Sequence, residues 1–157
     1  MHCRPMLAII GATNYGKSLL GAHVLREVGK RIGVDGFLEV TVEGTEHLDF
    51  SDFDRRVHAG VLLDGIGDAL LLKQNREALQ GRPKLCKGAR SATMMYSYKY
   101  TLCNRAVVAT FDLAAANLSA FKVDHWLSSE DNVVVLVLKE KVFVDSPGVP
   151  SLPVRVQ

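Results

Sequence analysis

The stretch Leu7-Ala-Ile-Ile-Gly-Ala-Thr-Asn-Tyr-Gly-Lys-Ser18 decides the reading of this chain. Gly11, Gly16, Lys17 and Ser18 fit the G-x-x-x-x-G-K-[ST] phosphate-binding pattern without a gap. A short apolar run from Leu7 to Ile10 leads in as a buried strand. From Lys17 onward, Leu19, Leu20, Val24, Leu25 and Val28 recur at three- and four-residue steps, the spacing of a helix with one apolar face. Strand, glycine-containing turn and helix start are the order that anion binding requires. The glycines let successive N–H groups turn inward, and the helix adds unpaired N–H groups and its positive dipole end. The expected phosphate contacts run through Gly11, Ala12, Thr13, Asn14, Tyr15, Gly16, Lys17, Ser18 and Leu19. Lys17 is expected at the β- and γ-phosphates, and the Ser18 hydroxyl at Mg²⁺. A chance glycine-rich turn is the competing reading, and the flanking strand and helix weigh against it.

Working outward, the second expected strand is Phe37 to Val42, followed by an acidic turn and a short helix from Ser51 or Asp52 through Val57. Ala59-Gly-Val-Leu-Leu-Asp64 is an apolar run ending in an acid, as a Walker B strand does. The Asp64 carboxylate is expected to hold the Mg²⁺ through a water. Ala69 to Gln80 reads as a helix closed by Gly81 and Pro83. The stretch Lys84-Leu-Cys-Lys-Gly-Ala-Arg90 and the alternating Met94 to Leu102 fit a small basic β-hairpin. Tyr96, Tyr98 and Tyr100 share one side of its second strand, placed there to stack bases or simply to pack a sheet face. Arg105 to Asp112 is a further strand, Ala114 to Leu118 a short helix, and Asn132 to Leu138 a fully buried strand that Lys139 to Val144 extends. Val123 to Leu127 carries the single Trp, read as packing. Strands alternating with helices and apolar on both faces predict a three-layer α/β/α sandwich with a mainly parallel sheet. Residues 1–144 form that domain, and 145–157, with Gly148 and three prolines, a flexible tail.

Composition sets the bounds. The 157 residues suit one domain with a real core, at 48% hydrophobic and 23% charged. No run approaches eighteen apolar residues, so no membrane span is expected. The start Met-His-Cys-Arg-Pro lacks a signal peptide's apolar segment. Cys3, Cys86 and Cys103 form no C-x-x-C and cannot all pair, which predicts reduced thiols and an intracellular protein. The net charge of +2 hides a segregation. Between residues 34 and 68 the acids face only Arg55 and Arg56, whereas between 73 and 105 the bases face only Glu77. Such asymmetry fits either a surface meant for a large anion or a solvated basic face.

Four features now stand in order: phosphate loop, Asp-ended strand, basic ribbon, and a strand ending in polar residues. This order resembles the superfamily-3 helicase domain of viral and plasmid replication-initiator proteins, over roughly residues 6–143. The resemblance implies an ATP- and Mg²⁺-dependent motor on single-stranded DNA, assembled as a homo-oligomeric ring. It implies that the segment from Leu79 to Ser91 is the pore hairpin, with Lys84, Lys87 and Arg90 on nucleic-acid phosphates. It also makes Val107 to Asp112 the motif that senses the γ-phosphate, through Thr110 or Asp112, and Asp68 the candidate acid for activating water. Departures from the family's pattern are specific. Gly65 follows Asp64 where the family has a second acid, Asn is missing from the sensor position, and no arginine lies between Arg105 and Arg155. No His-apolar-His pair of a nickase domain is present, so the chain reads as a piece of a longer protein. Nucleotide binding is therefore expected, and fast hydrolysis is not. Two other readings share the loop. A nucleotide or small-molecule kinase needs a lid, for which Arg82 and Arg90 are available, and a non-hydrolysing nucleotide-bound module is favoured by Gly65.

Overall fold

A computed structural model of the protein describes residues 4–42, 48–80, 84–87, 97–100, 102 and 104–142. The elements run β1 (Met6–Gly11), α1 (Lys17–Ile32), β2 (Leu38–Thr41), β3 (Gly60–Asp68), α2 (Leu70–Gln74), α3 (Arg76–Leu79), β4 (Lys84–Lys87), β5 (Ser97–Tyr100), β6 (Ala106–Ala116), α4 (Ala120–Val123) and β7 (Val133–Val137). Five strands form one sheet in the order β2-β3-β6-β1-β7, and each neighbouring pair is parallel. The fold is α/β with an all-parallel central sheet. β4 and β5 pair antiparallel apart from it, with Lys84 opposite Tyr100 and Lys87 opposite Ser97. The expected tip of that hairpin, including Arg90, lies outside the described residues, as do Tyr96, Arg82 and the tail. Among the described residues no helix is long and apolar enough to cross a membrane.

The two-residue period of each strand divides the core. Ala8, Ile10, Val61, Leu63, Val107, Ala109 and Phe111 join Phe50, Leu72 and Phe121 in one cluster. Ile9, Leu62 and Val108 join Leu25 of α1 in the other. Leu25, Ile9 and Leu62 are essentially solvent-free, and each such burial contributes about 1.5–3 kcal/mol. Gly21 lets α1 lie close to the strands, since a Cβ there would sit 2.8 Å from Leu62 Cδ1 and 3.1 Å from Val108 Cγ1. The helix stops at Gly33, whose N–H donates to the Gly29 carbonyl, with Lys30 and Arg31 in the last turn favouring the dipole's negative end.

Several elements differ from the sequence expectation, each for a physical reason. The helix expected over 69–80 is broken at Asn75, which is 2% exposed. Its Nδ2 donates to Leu71 O at 2.9 Å and its Oδ1 accepts the Leu48 N–H at 3.2 Å, so the break anchors the loop ahead of β3. β6 runs through Ala116 instead of giving way to a helix at Ala114. There the pairing Asp68↔Ala116, and the Ala69 N–H to Ala116 O bond at 3.0 Å, override alanine's helix preference. β7 is not fully buried: Val134, Val135 and Val137 are exposed because the strand pairs only with β1. Leu138 still donates its N–H to Ile10 O, but residues 139–142 do not extend the strand, and 143 and 144 lie outside the described residues. Residues 51–57 form turns, with the Asp54 carboxylate accepting the Arg56 N–H, not a helix.

Candidate functional site

Parallel pairing brings the ends of β1, β3 and β6 to one edge of the sheet. Gly11 lies opposite Asp112, Ile9 opposite Thr110, and Thr41 opposite Asp64. Counting by twos from Leu62 and Val108, which pack under α1, aims Asp64, Thr110 and Asp112 at the α1 side of the sheet. The chain leaves the neighbouring strands β1 and β6 toward opposite faces. α1 packs into one core cluster through Leu25, and α4 into the other through Phe121. A crevice therefore opens at their carboxyl ends, where open α/β sheets take ligands.

The turn from Gly11 to Lys17 occupies that crevice. Asn14 and Gly16 have φ of 64° and 85°, left-handed conformations of the sort with which successive N–H groups converge on an anion. The Tyr15 N–H donates to Ala12 O at 3.3 Å, and the Leu20 N–H to Gly16 O at 2.9 Å as α1 begins. The first turn of α1 contains no acid of its own, and the carboxylates near its positive end, Asp64 and Asp112, come from other strands. The Lys17 ammonium folds back onto the loop. It donates to Gly11 O at 2.9 Å and Ala12 O at 2.7 Å, and lies 3.9 Å from Asp112 Oδ2. Residues 14 to 19, with Lys141, line a cavity of about 500 Å³.

Beside it, the Ser18 hydroxyl donates to Asp64 Oδ1 at 2.6 Å. The Thr110 hydroxyl donates to the same oxygen at 2.7 Å and accepts the Gly65 N–H at 3.0 Å. Thr110 is 1% exposed, so it holds Asp64 from beneath. Across the crevice the Thr13 hydroxyl donates to Asp112 Oδ2 at 2.6 Å, and the Ala114 N–H to Asp112 Oδ1 at 3.0 Å. The Thr13 bond, then the Ala114 bond, then the nearby Lys17 charge hold the Asp112 carboxyl below the usual carboxylate range.

Asp68 is set apart from this cluster. Gly65, at φ 72°, marks a register shift between Leu63 and Ile66. The bulge turns Ile66 into the cluster with Leu63 and Phe111, where strict alternation would have aimed it with Asp64. Beyond it, Asp68 Oδ1 accepts the Leu70 N–H at 2.9 Å and the Asn117 amide at 3.0 Å. Lys84 and Lys87 sit at the two ends of β4 in the separate ribbon. Trp126 packs against the larger core cluster, as expected of it.

The sequence named Thr13, Thr110 and Asp112 but not their pairings: Thr13 reaches Asp112 from the turn and Thr110 bonds Asp64. Lys141, which arrives at the cavity from the segment after β7, carries no local sequence signal. Val142 holds that segment by donating its N–H to Tyr15 O at 3.0 Å. Mg²⁺ keeps several waters and takes one or two carboxylates plus substrate phosphates. A hydroxyl and a carboxylate in contact at the loop suit that ion. A cluster of three His, Cys, Asp or Glu side chains, absent among the described residues, is not needed for it. No protein-family model matches the chain, and no curated protein matches it.

Proposed function

We propose that the chain binds a nucleoside triphosphate with Mg²⁺ in the turn between β1 and α1, as a P-loop NTPase built as a three-layer α/β/α sandwich. The observation that carries this is the 2.6 Å contact of Ser18 with Asp64. It joins the residue after the loop's lysine to a carboxylate of β3 46 positions away, just before the strand's bulge, in the order the motif requires. Lys17 neutralises the phosphates, exchanging the Gly11 and Ala12 carbonyls for anionic oxygens. Ser18 and Asp64 hold the metal, which when bound offsets charge on the terminal phosphates. Thr110 orients Asp64. Asp112 withdraws or takes up a water when the phosphates enter, because a carboxylate beside them is repelled. The basic ribbon of β4 and β5 contacts single-stranded DNA, and the chain acts as a helicase-type motor in a homo-oligomeric ring. Two departures favour a second reading, a nucleotide-bound module without turnover: Gly65 stands where a second acid would polarise water, and Asp68 is engaged elsewhere.

The test is ATP binding and hydrolysis by the full chain and by Lys17→Ala, with and without single-stranded DNA. The motor predicts turnover that rises with DNA and is lost in Lys17→Ala. Affinity without turnover selects the module. Absence of nucleotide binding overturns both readings.

A further inference from the structure

We propose that Lys141 is a second phosphate-binding cation of the site, supplied by the same chain and contacting the nucleoside end of the ligand rather than its terminal phosphate. The inference rests on the nucleotide reading above and adds the ligand's direction in the cavity.

Strand order fixes that direction. β3 and β6, which bring Asp64, Thr110 and Asp112, lie on one side of β1, and β7 lies on the other. The metal-holding pair therefore draws the terminal phosphates toward β6. The nucleoside end must then extend toward β7, and Lys141 follows that strand. Lys141 lines the cavity together with the phosphate-binding turn. Its position is built, not incidental. On one side Leu138 is 4% exposed and donates its N–H to Ile10 O at 2.7 Å. On the other, Val142 is 3% exposed and donates its N–H to Tyr15 O at 3.0 Å. Only Lys139, Glu140 and Lys141 span these two anchors, so the backbone bearing the ammonium is tied at one end to β1 and at the other to the loop it faces. Close packing reinforces the tie: a Cβ on Gly11 would lie 3.1 Å from Leu138 Cβ. An exposed ammonium held there suits the phosphate nearest the ribose, a group that nucleoside di- and triphosphates share.

The experiment measures the affinities of the full chain for ATP and ADP, each with Mg²⁺, for the parent protein and for Lys141→Ala, Lys141→Arg, Lys139→Ala and Lys17→Ala. In Lys141→Ala both affinities are expected to fall by a similar factor of about five, as for a partly screened ion pair. Lys141→Arg restores most of the loss, and Lys139→Ala changes neither. Lys17→Ala, in contrast, weakens ATP more than ADP. If Lys141→Ala leaves both affinities unchanged, or weakens ATP alone, the assignment is overturned while the nucleotide reading stands. If the parent protein binds neither nucleotide, the reading beneath it fails as well.

Discussion

Asp64 and Asp68 belong to the same strand, β3, and have opposite fates. Asp64 receives two hydroxyls, one from Thr110 and one from Ser18, which lines the cavity. Asp68 receives a backbone N–H and the Asn117 amide, where it secures the start of α2 and the turn after β6. A spacing of four should give both the same direction along a regular strand. The bulge at Gly65 removes that equivalence. One acid is thereby left beside the Ser18 hydroxyl at the turn, and the other ties α2 to the end of β6.

Breaking the comparison on the Asp64 side should have the largest effect. Asp64→Asn is expected to weaken Mg²⁺-dependent ATP binding by roughly 10- to 100-fold, with little change when chelator replaces the metal. Equal losses in the two conditions would mean that the carboxylate acts on something other than a cation. Next comes the bulge. Gly65→Val places a β-branched residue at φ 72° in otherwise open space, so the cost is conformational, about 1–2 kcal/mol. Urea unfolding should show it, and Gly65→Asn should recover part of the loss because Asn tolerates this conformation. Equal stability of the glycine and valine proteins would show that the bulge is not fixed by backbone preference.

On the other side of the comparison, Asp68→Ala should lower stability by about 1 kcal/mol, as loss of hydrogen bonds to a carboxylate does, and leave ATP affinity unaltered. A tenfold loss of affinity instead would return Asp68 to the site. The smallest effect sharpens rather than breaks the contrast, and it concerns Asp112. Its folded pKa is lowered, chiefly by the Thr13 hydroxyl. Its contribution is therefore fully present above the ordinary carboxylate pKa, near about 3.9, and is lost as pH falls through the depressed folded value. In Thr13→Val the Asp112 carboxyl should titrate closer to that ordinary value, read by NMR. An unmoved titration would show that Thr13 is not the main cause.

The turn between β1 and α1 and the start of the Asp64 strand were legible because each is a local pattern: glycines and lysine at fixed spacing, and an apolar run. The acid does not close that strand, which continues through its bulge to Asp68. The parallel α/β class followed from strands apolar on both faces, of which β1, β3 and β6 are the interior examples. Asp68 was not separable from Asp64, since periodicity presumes an unbroken strand and a single glycine is a weak sign of a bulge. Asn75 hid a helix break, because its tertiary bond to Leu48 outweighs the helical run of leucines around it. β7 read as buried from its five apolar residues, and only the order of the sheet reveals that it is an edge. Lys141 was invisible for the plainest reason, that its neighbours in space are distant in the chain.

The bonds that Lys17 makes within its own loop set a condition on anything that enters. Two of the three ammonium protons already have carbonyl partners, so a newcomer finds one donor and competes with those carbonyls for any further bond. For an uncharged oxygen that swap is close to thermoneutral, whereas a charged one roughly doubles the strength of each bond. An uncharged nucleoside or sugar would therefore gain little from this ammonium, and a charged oxygen would gain more.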